Sequence, residues 1–324
     1  MSKKKSSWRK YTLAAVVLLL LITLALVLSW FSQEQKPDPA SEKTIRQAVA
    51  GLLGKDPNNL TDHDYTRITE FALSKNELYD IKLFMKFTNL RELSLYFITY
   101  PENVKPKWMI ILSKLGIFNF EDRFYIDLSP LEKLDNLETL NIQNTQIKNI
   151  KPLAGLINLK GLVLMSTQVS DLEPIKGLKN LQTLCLSSIQ PFDLKPLEGL
   201  TNLQRLTVFS LDGKFTPDLS PLEKLVNLKR LELSFSPNLD IRQLSVLNNI
   251  KELSLNDTQV SELDPLKNLT GLEKLDISGT PVSNLDSLRE LIYLQQLNLT
   301  NCNNITAEQV EDLQKALPKL KISR

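Results

Sequence analysis

The sequence predicts an α/β solenoid: a curved parallel sheet on the concave side, short helical turns on the convex side, helical caps at both ends and one transmembrane helix in front. Three observations carry this. A phrase recurs about every 22 residues, seen cleanly as NLETLNIQNTQIKNIKPLAGLI (136–157) and NLKGLVLMSTQVSDLEPIKGLK (158–179). Each copy opens on alternating leucines and ends in a proline-bearing turn such as Asp171-Leu172-Glu173-Pro174-Ile175. Ahead of the copies, residues 11–31 are apolar and free of charge. Units of roughly 20–29 residues do not bury their apolar faces singly, and they stack into a solenoid whose usual task is to present a binding surface.

The copies open at Asn89, Asn136, Asn158, Asn180, Asn202, Asn227, Asn249, Gly271 and Tyr293, with a degenerate first one near Arg67. In the L-x-x-L-x-L stretch the last two apolar residues alternate with polar ones, which marks a strand with one buried face. Leu140/Ile142, Leu162/Leu164, Leu184/Leu186 and Leu253/Leu255 therefore point inward, and Ile147/Ile150, Val169/Leu172 and Val260/Leu263 bring the chain inward again on the return. Roughly ten strands at about 4.8 Å give a sheet on the order of 45 Å long.

On the outer side, Ser129-Pro130-Leu131-Glu132 and Ser220-Pro221-Leu222-Glu223 read as capping boxes, a serine N-cap with glutamate two residues beyond a proline at the first helical position, where its missing N–H costs nothing. Pro152, Pro174, Pro196 and Pro265 hold the same place, so the convex side is expected to be short turns. The ninth position, Thr145, Thr167, Thr258, Thr280 or Cys302, is a small side chain suited to meeting backbone groups inside the coil.

This pattern is that of leucine-rich repeats, and over residues 67–305 it resembles the repeats of the bacterial internalins. The resemblance implies a concave face used for protein recognition and transfers no individual binding residue. The chain departs from internalins in showing no immunoglobulin-like domain and no cell-wall sorting tail after the repeats, which argues against a host-invasion role.

Residues 1–10 read as a basic cytoplasmic tail and 11–31 as a transmembrane helix, long enough at about 1.5 Å per residue to span roughly 30 Å. Lys3, Lys4, Lys5, Arg9 and Lys10 precede it, so the positive-inside rule places the repeats on the far side, periplasmic or at the cell surface. The competing reading is a secretory signal removed by cleavage, whose apolar core is normally shorter. Residues 32–42 read as a linker and 43–66 as an N-terminal cap. Its amphipathic helix over about 42–53 turns Ile45, Ala48, Val49, Leu52 and Leu53 to one face and stops at Gly54. At the other end, 306–324 form a second cap opening on Thr306-Ala307-Glu308-Gln309, a capping box.

Composition narrows the function. A formal charge of +2 over 324 residues gives no footprint for nucleic acid. One histidine, His63, within Thr61-Asp62-His63-Asp64, and two cysteines five coils apart make neither a catalytic set nor a metal site. There is no phosphate-binding glycine loop and no GxSxG elbow, so no enzyme, cofactor or small-molecule substrate is expected.

The candidate site is the centre of the concave face. Outward strand positions are mostly small or polar, but Val163, Met165, Cys185 and Phe209 place apolar groups there, with Arg205, Arg230 and Glu232 beside them. An apolar centre bordered by arginine suits an interface core. Two insertions interrupt the period, at about 97–125, which contains Trp108, and at 211–214, which contains Asp212. Both leave the coil after a strand, so Trp108 and Asp212 complete the expected partner-binding set. The expected ligand is a protein or peptide; the alternative is a structural envelope or adhesion protein that associates with itself.

Overall fold

The computed structural model describes residues 38–74, 78, 80–97, 125–188, 193–210, 217–235 and 239–324. The first described element is helix α1 (Pro39–Leu53), capped by the Asp38 carboxylate, with proline in its first turn and Gly54 closing it in the left-handed region at φ 61°. The helix thus starts three residues before the sequence suggests, because the cap is Asp38 and not a residue near Glu42. Ile45 and Val49 seat fully in the core, while Leu52 is exposed, contrary to its expected place on the buried face.

A short helix α2 (Asp62–Thr66) follows, opened by the Thr61/Asp64 capping box. Asp64 is buried and accepts hydrogen bonds from Lys55 Nζ at 2.5 Å, the Thr61 amide at 2.8 Å and the Thr61 hydroxyl at 2.9 Å. Lys55 foremost, then Thr61, holds this carboxyl far below the usual carboxylate range. A depressed pKa contributes stability above the unfolded value of about 3.9 and loses it as the pH falls. The gap in melting temperature between the chain and its Asp64→Asn variant is therefore expected to narrow steadily below about pH 4. A gap that stays constant from pH 7 to pH 2.5 would show that the ionised carboxylate does not tie the cap down.

Among the described residues, eleven strands form one parallel sheet in chain order. They are β1 (Glu70–Ser74), β2 (Glu92–Tyr96), β3 (Thr139–Gln143), β4 (Gly161–Thr167), β5 (Thr183–Ser188), β6 (Arg205–Ser210), β7 (Arg230–Ser234), β8 (Glu252–Ser254), β9 (Lys274–Asp276), β10 (Gln296–Asn298) and β11 (Lys321–Ser323). The eleventh follows the capping helix α3 (Ala307–Ala316) and pairs with β10; its lone Ile322 gave no repeat signal. β2 and β3 pair in register from Glu92↔Thr139 to Tyr96↔Gln143, although 42 residues, 97–138, separate them in sequence. One continuous core of stacked leucines and isoleucines fills the coil from end to end.

Three sets of side-chain hydrogen bonds repeat from coil to coil. The opening asparagines donate their side-chain amides to a carbonyl of the preceding coil, as in Asn158 to Asp135 at 2.8 Å, Asn180 to Ile157 at 2.9 Å and Asn202 to Lys179 at 2.9 Å. The ninth-position side chains are buried and donate to strand-end carbonyls, Thr258 to Leu255 at 2.7 Å and Thr280 to Ile277 at 2.6 Å. Cys302 does the same through Sγ, 3.0 Å from the Ile277 carbonyl. On the convex side the short turns are 3-10 helices, opened by aspartate rather than serine. Asp127 accepts from the Ser129 amide at 2.9 Å and Asp218 from that of Ser220 at 3.0 Å; both serines lie inside the turn. The expected serine capping boxes are thus Asx turns, because a 3-10 turn leaves the amide two residues after the aspartate as the one to be met.

The expected transmembrane helix, and with it the single-pass membrane location with extracytoplasmic repeats, is corrected. No helix among the described residues is long and apolar enough to cross a membrane. The longest, α1, has 15 residues and spans about 22 Å against a hydrocarbon core of roughly 30 Å, and its sequence PASEKTIRQAVAGLL is charged along one side. Residues 11–31, on which the expectation rested, lie outside the described residues.

Candidate concave binding face

Because the strands are parallel and β3 to β6 pair in register over their first halves, side chains 22 residues apart in sequence become neighbours on the concave face. Val163 lies between Asn141 and Cys185, and Cys185 between Val163 and Thr207. All four are half-buried, the pose of side chains lying flat on a sheet. Burial, the larger influence, pushes the Cys185 thiol up, so it stays protonated and acts as a small apolar group rather than a nucleophile.

Met165 and Phe209 stand two strands apart, on β4 and β6. The β4/β5 register shifts after Leu164↔Leu186, where the Ser166 amide donates to the Ser187 hydroxyl at 2.6 Å and Ser166 takes φ 54°. Met165 is paired with Gln143, and Phe209 with Ser187 and Ser234. Phe209 packs edge-on against Phe235, with ring centroids 6.2 Å apart.

Phe235, packed against Phe209, joins the candidate set although the alternation of the strands does not mark it. It stands at the strand-end position occupied in other coils by Asn144, Asp257, Gly279 and Asn301, all in the left-handed region. At Gly279 an added Cβ would also meet the Asp257 carboxylate, which would have to move aside. An aromatic at φ 57° costs on the order of 1–3 kcal/mol in backbone strain. Phe235 nevertheless holds its ring 49% exposed, and Phe97, at φ 55°, holds its own 50% exposed. The signal was present: two phenylalanines stand where the repeat elsewhere uses turn-forming residues.

Beyond the apolar centre the face is charged. Glu252 is bridged by Arg230 and Lys274, each at 2.9 Å, and Lys274 foremost lowers its pKa. Glu232 accepts from the Thr207 hydroxyl at 3.3 Å, and Asp276 accepts from Ser278 and from Asn298. These groups line a concavity of about 730 Å³ over β7 to β11. Arg205 sits in register with Arg230 and makes no ion pair among the described residues. Trp108 and Asp212, with the insertions that carry them, lie outside the described residues. His63 is exposed at the N-terminal cap, remote in sequence from these strands. Among the described residues no group of three or more His, Cys, Asp or Glu is placed to hold a metal ion.

One strand per coil, asparagine and threonine ladders and a 3-10 convex side define a leucine-rich-repeat solenoid, the fold of a protein–protein interaction module and typically a non-enzymatic one. Its repeats resemble those of internalins. A family model described as leucine-rich repeats (2 copies) matches residues 248–290. Among solved structures, an internalin (InlF) of Listeria monocytogenes is 20% identical with a TM-score of 0.62, covering 89% of this chain and 91% of its own. Internalin C2 of the same organism is 26% identical with a TM-score of 0.54, covering 81% and 93%. A TLR13–ssRNA13 complex matches at 18% identity and a TM-score of 0.58; there the chain spans 42% of the other's length, and the likeness is one of fold. No curated protein sequence matches the chain.

Proposed function

We propose that this protein binds a protein or peptide on the concave face of its repeats, with contact centred on Val163, Cys185 and the Phe209–Phe235 pair and bordered by Met165, Arg205, Arg230 and Glu232. The observation that carries the reading is the Phe209–Phe235 pair: an aromatic group held half-exposed on a left-handed backbone, where strain is not offset by burial. Strained backbone that persists next to exposed apolar surface points to use rather than to stability. Trp108 and Asp212, from the two insertions, belong to the proposed surface on sequence grounds alone.

Photo-crosslinking in cells of origin tests this. A benzophenone side chain in place of Val163 or Thr207 is expected to trap a discrete partner band, and the same group at Lys195 or Glu223 on the convex turns is not. Equal labelling from both faces, or labelling from the convex face alone, would sink the assignment. A trapped band that proves to be a second copy of this chain would instead favour self-association.

A further inference from the structure

Over β1 to β7 the first outward residues of the strands form a row with carboxylates at one end and guanidinium groups at the other; beyond it the row continues as Glu252, Lys274, Gln296 and Lys321, of mixed sign. At one end Glu70 and Glu92 lie directly opposite each other on β1 and β2. Both are exposed, and neither makes a hydrogen bond or ion pair among the described residues. The nearby cations Arg91 and Lys160 are engaged elsewhere, each 2.6 Å from Glu138. At the other end of this stretch Arg205 and Arg230 are directly opposite on β6 and β7; Arg230 is bridged to Glu252, while Arg205 makes no ion pair among the described residues and acts on Glu252 from two strands away. Like charges facing each other across strands destabilise a sheet, and here one pair of each sign is retained.

Between the poles the row is uncharged and low. Gly161 stands between Thr139 and Thr183 and has no side chain, which leaves a notch on β4 with Val163 just beyond it. A Cβ at Gly161 would come no nearer than 3.4 Å, to Thr139 Cγ2. Packing therefore does not demand glycine at this position, and a glycine inside a strand often marks close approach of another backbone.

Building on the concave-face reading, we infer that the ligand is an extended peptide segment crossing β2 to β6, with a basic side chain over Glu70 and Glu92 and an acidic side chain over Arg205. Four strand spacings of about 4.8 Å separate the poles by about 19 Å, which an extended chain covers in roughly six residues at about 3.3 Å each. The segment's backbone crosses at the Gly161 notch and sets an apolar side chain against Val163 and Cys185. A polyanion is disfavoured, because Glu70 and Glu92 repel it at one end of the same row.

Selection of randomised twelve-residue displayed peptides on the immobilised full chain tests the inference. Enriched sequences are expected to carry one basic and one acidic residue about six positions apart, with an apolar residue between. Arg205→Glu should weaken the selected peptides at least tenfold, and replacing the peptide's acidic residue by lysine should restore binding to that variant. Glu92→Lys should weaken them likewise. Gly161→Thr should keep or raise the melting temperature while abolishing peptide binding, because a threonine fills the notch without strain in a strand. Absence of any enriched set, an enriched set without the charge spacing, or undiminished binding to both charge-reversed variants would each overturn it. Crosslinking from positions 163 and 207 that persisted alongside those failures would leave the concave-face function standing and remove only its polarity.

Discussion

Phe209→Asp is expected to weaken partner capture at least 30-fold while leaving the fold intact. Phe209 is an outward side chain on β6, half-buried and edge-on to Phe235, so the substitution removes an aromatic anchor and sets a charge in the middle of the proposed contact. Buried aromatic anchors at interface centres are commonly worth about 2 kcal/mol or more, and about 1.4 kcal/mol is a factor of ten. The inward residues of the same strand, Leu206 and Val208, are untouched, and their burial holds β6 in place. Phe209→Leu should retain most of the binding. Equilibrium binding of the crosslinked partner, once isolated, against both variants gives the answer, with thermal melts as control. Binding unchanged by Phe209→Asp would place the contact elsewhere on the molecule.

Leu184→Ala is expected to cost about 2–5 kcal/mol of unfolding free energy, the range for truncating a fully buried leucine. Leu184 has no exposed surface and sits on β5 between Leu162 and Leu206 in the stacked core. Against a total stability of roughly 5–15 kcal/mol, such a loss is large. Each coil of a solenoid contacts only its neighbours, so the damage should concentrate around β4 to β6 and split the denaturant transition. Leu52→Ala is the matched control: that leucine is 62% exposed on α1, and its truncation should shift stability by no more than about 0.5 kcal/mol. Urea titrations followed by circular dichroism separate the two, and equal shifts would contradict the burial assigned to either residue.

Much of the architecture was legible because its signals are local. Alternation within Thr139–Gln143 marks a strand wherever it occurs, and the ninth-position threonine meets a carbonyl of its own coil, as Thr258 meets Leu255. The capping box at Thr306 and Gln309 and the glycine stop at Gly54 were readable for the same reason. The convex turns were half-legible: their place followed from proline, but whether Asp127 or Ser129 meets the free amide depends on 3-10 rather than α geometry. Leu52 shows the limit of helical periodicity, since one apolar stripe fits two orientations a fraction of a turn apart. Which one is used is settled by docking, through Asp38 and Ser41 against Asp80.

The site divides along the same line. Taken alone, the sequence determined the period, the inward and outward faces of each strand and hence the concave positions of Val163, Cys185, Arg205, Arg230 and Glu232, because a two-residue alternation and a fixed coil length are properties of the chain itself. Only the tertiary structure decided which of those side chains meet. The β4/β5 register shifts after Leu164, and the ring of Phe235, on left-handed backbone at the end of its strand, packs against Phe209. Ion pairing along β7 to β9 engages Arg230 and Lys274 with Glu252 and leaves Arg205 outside any ion pair among the described residues. Register between coils and the contacts of a strand-end ring are set by packing against a neighbouring turn, which alternation within one strand does not encode.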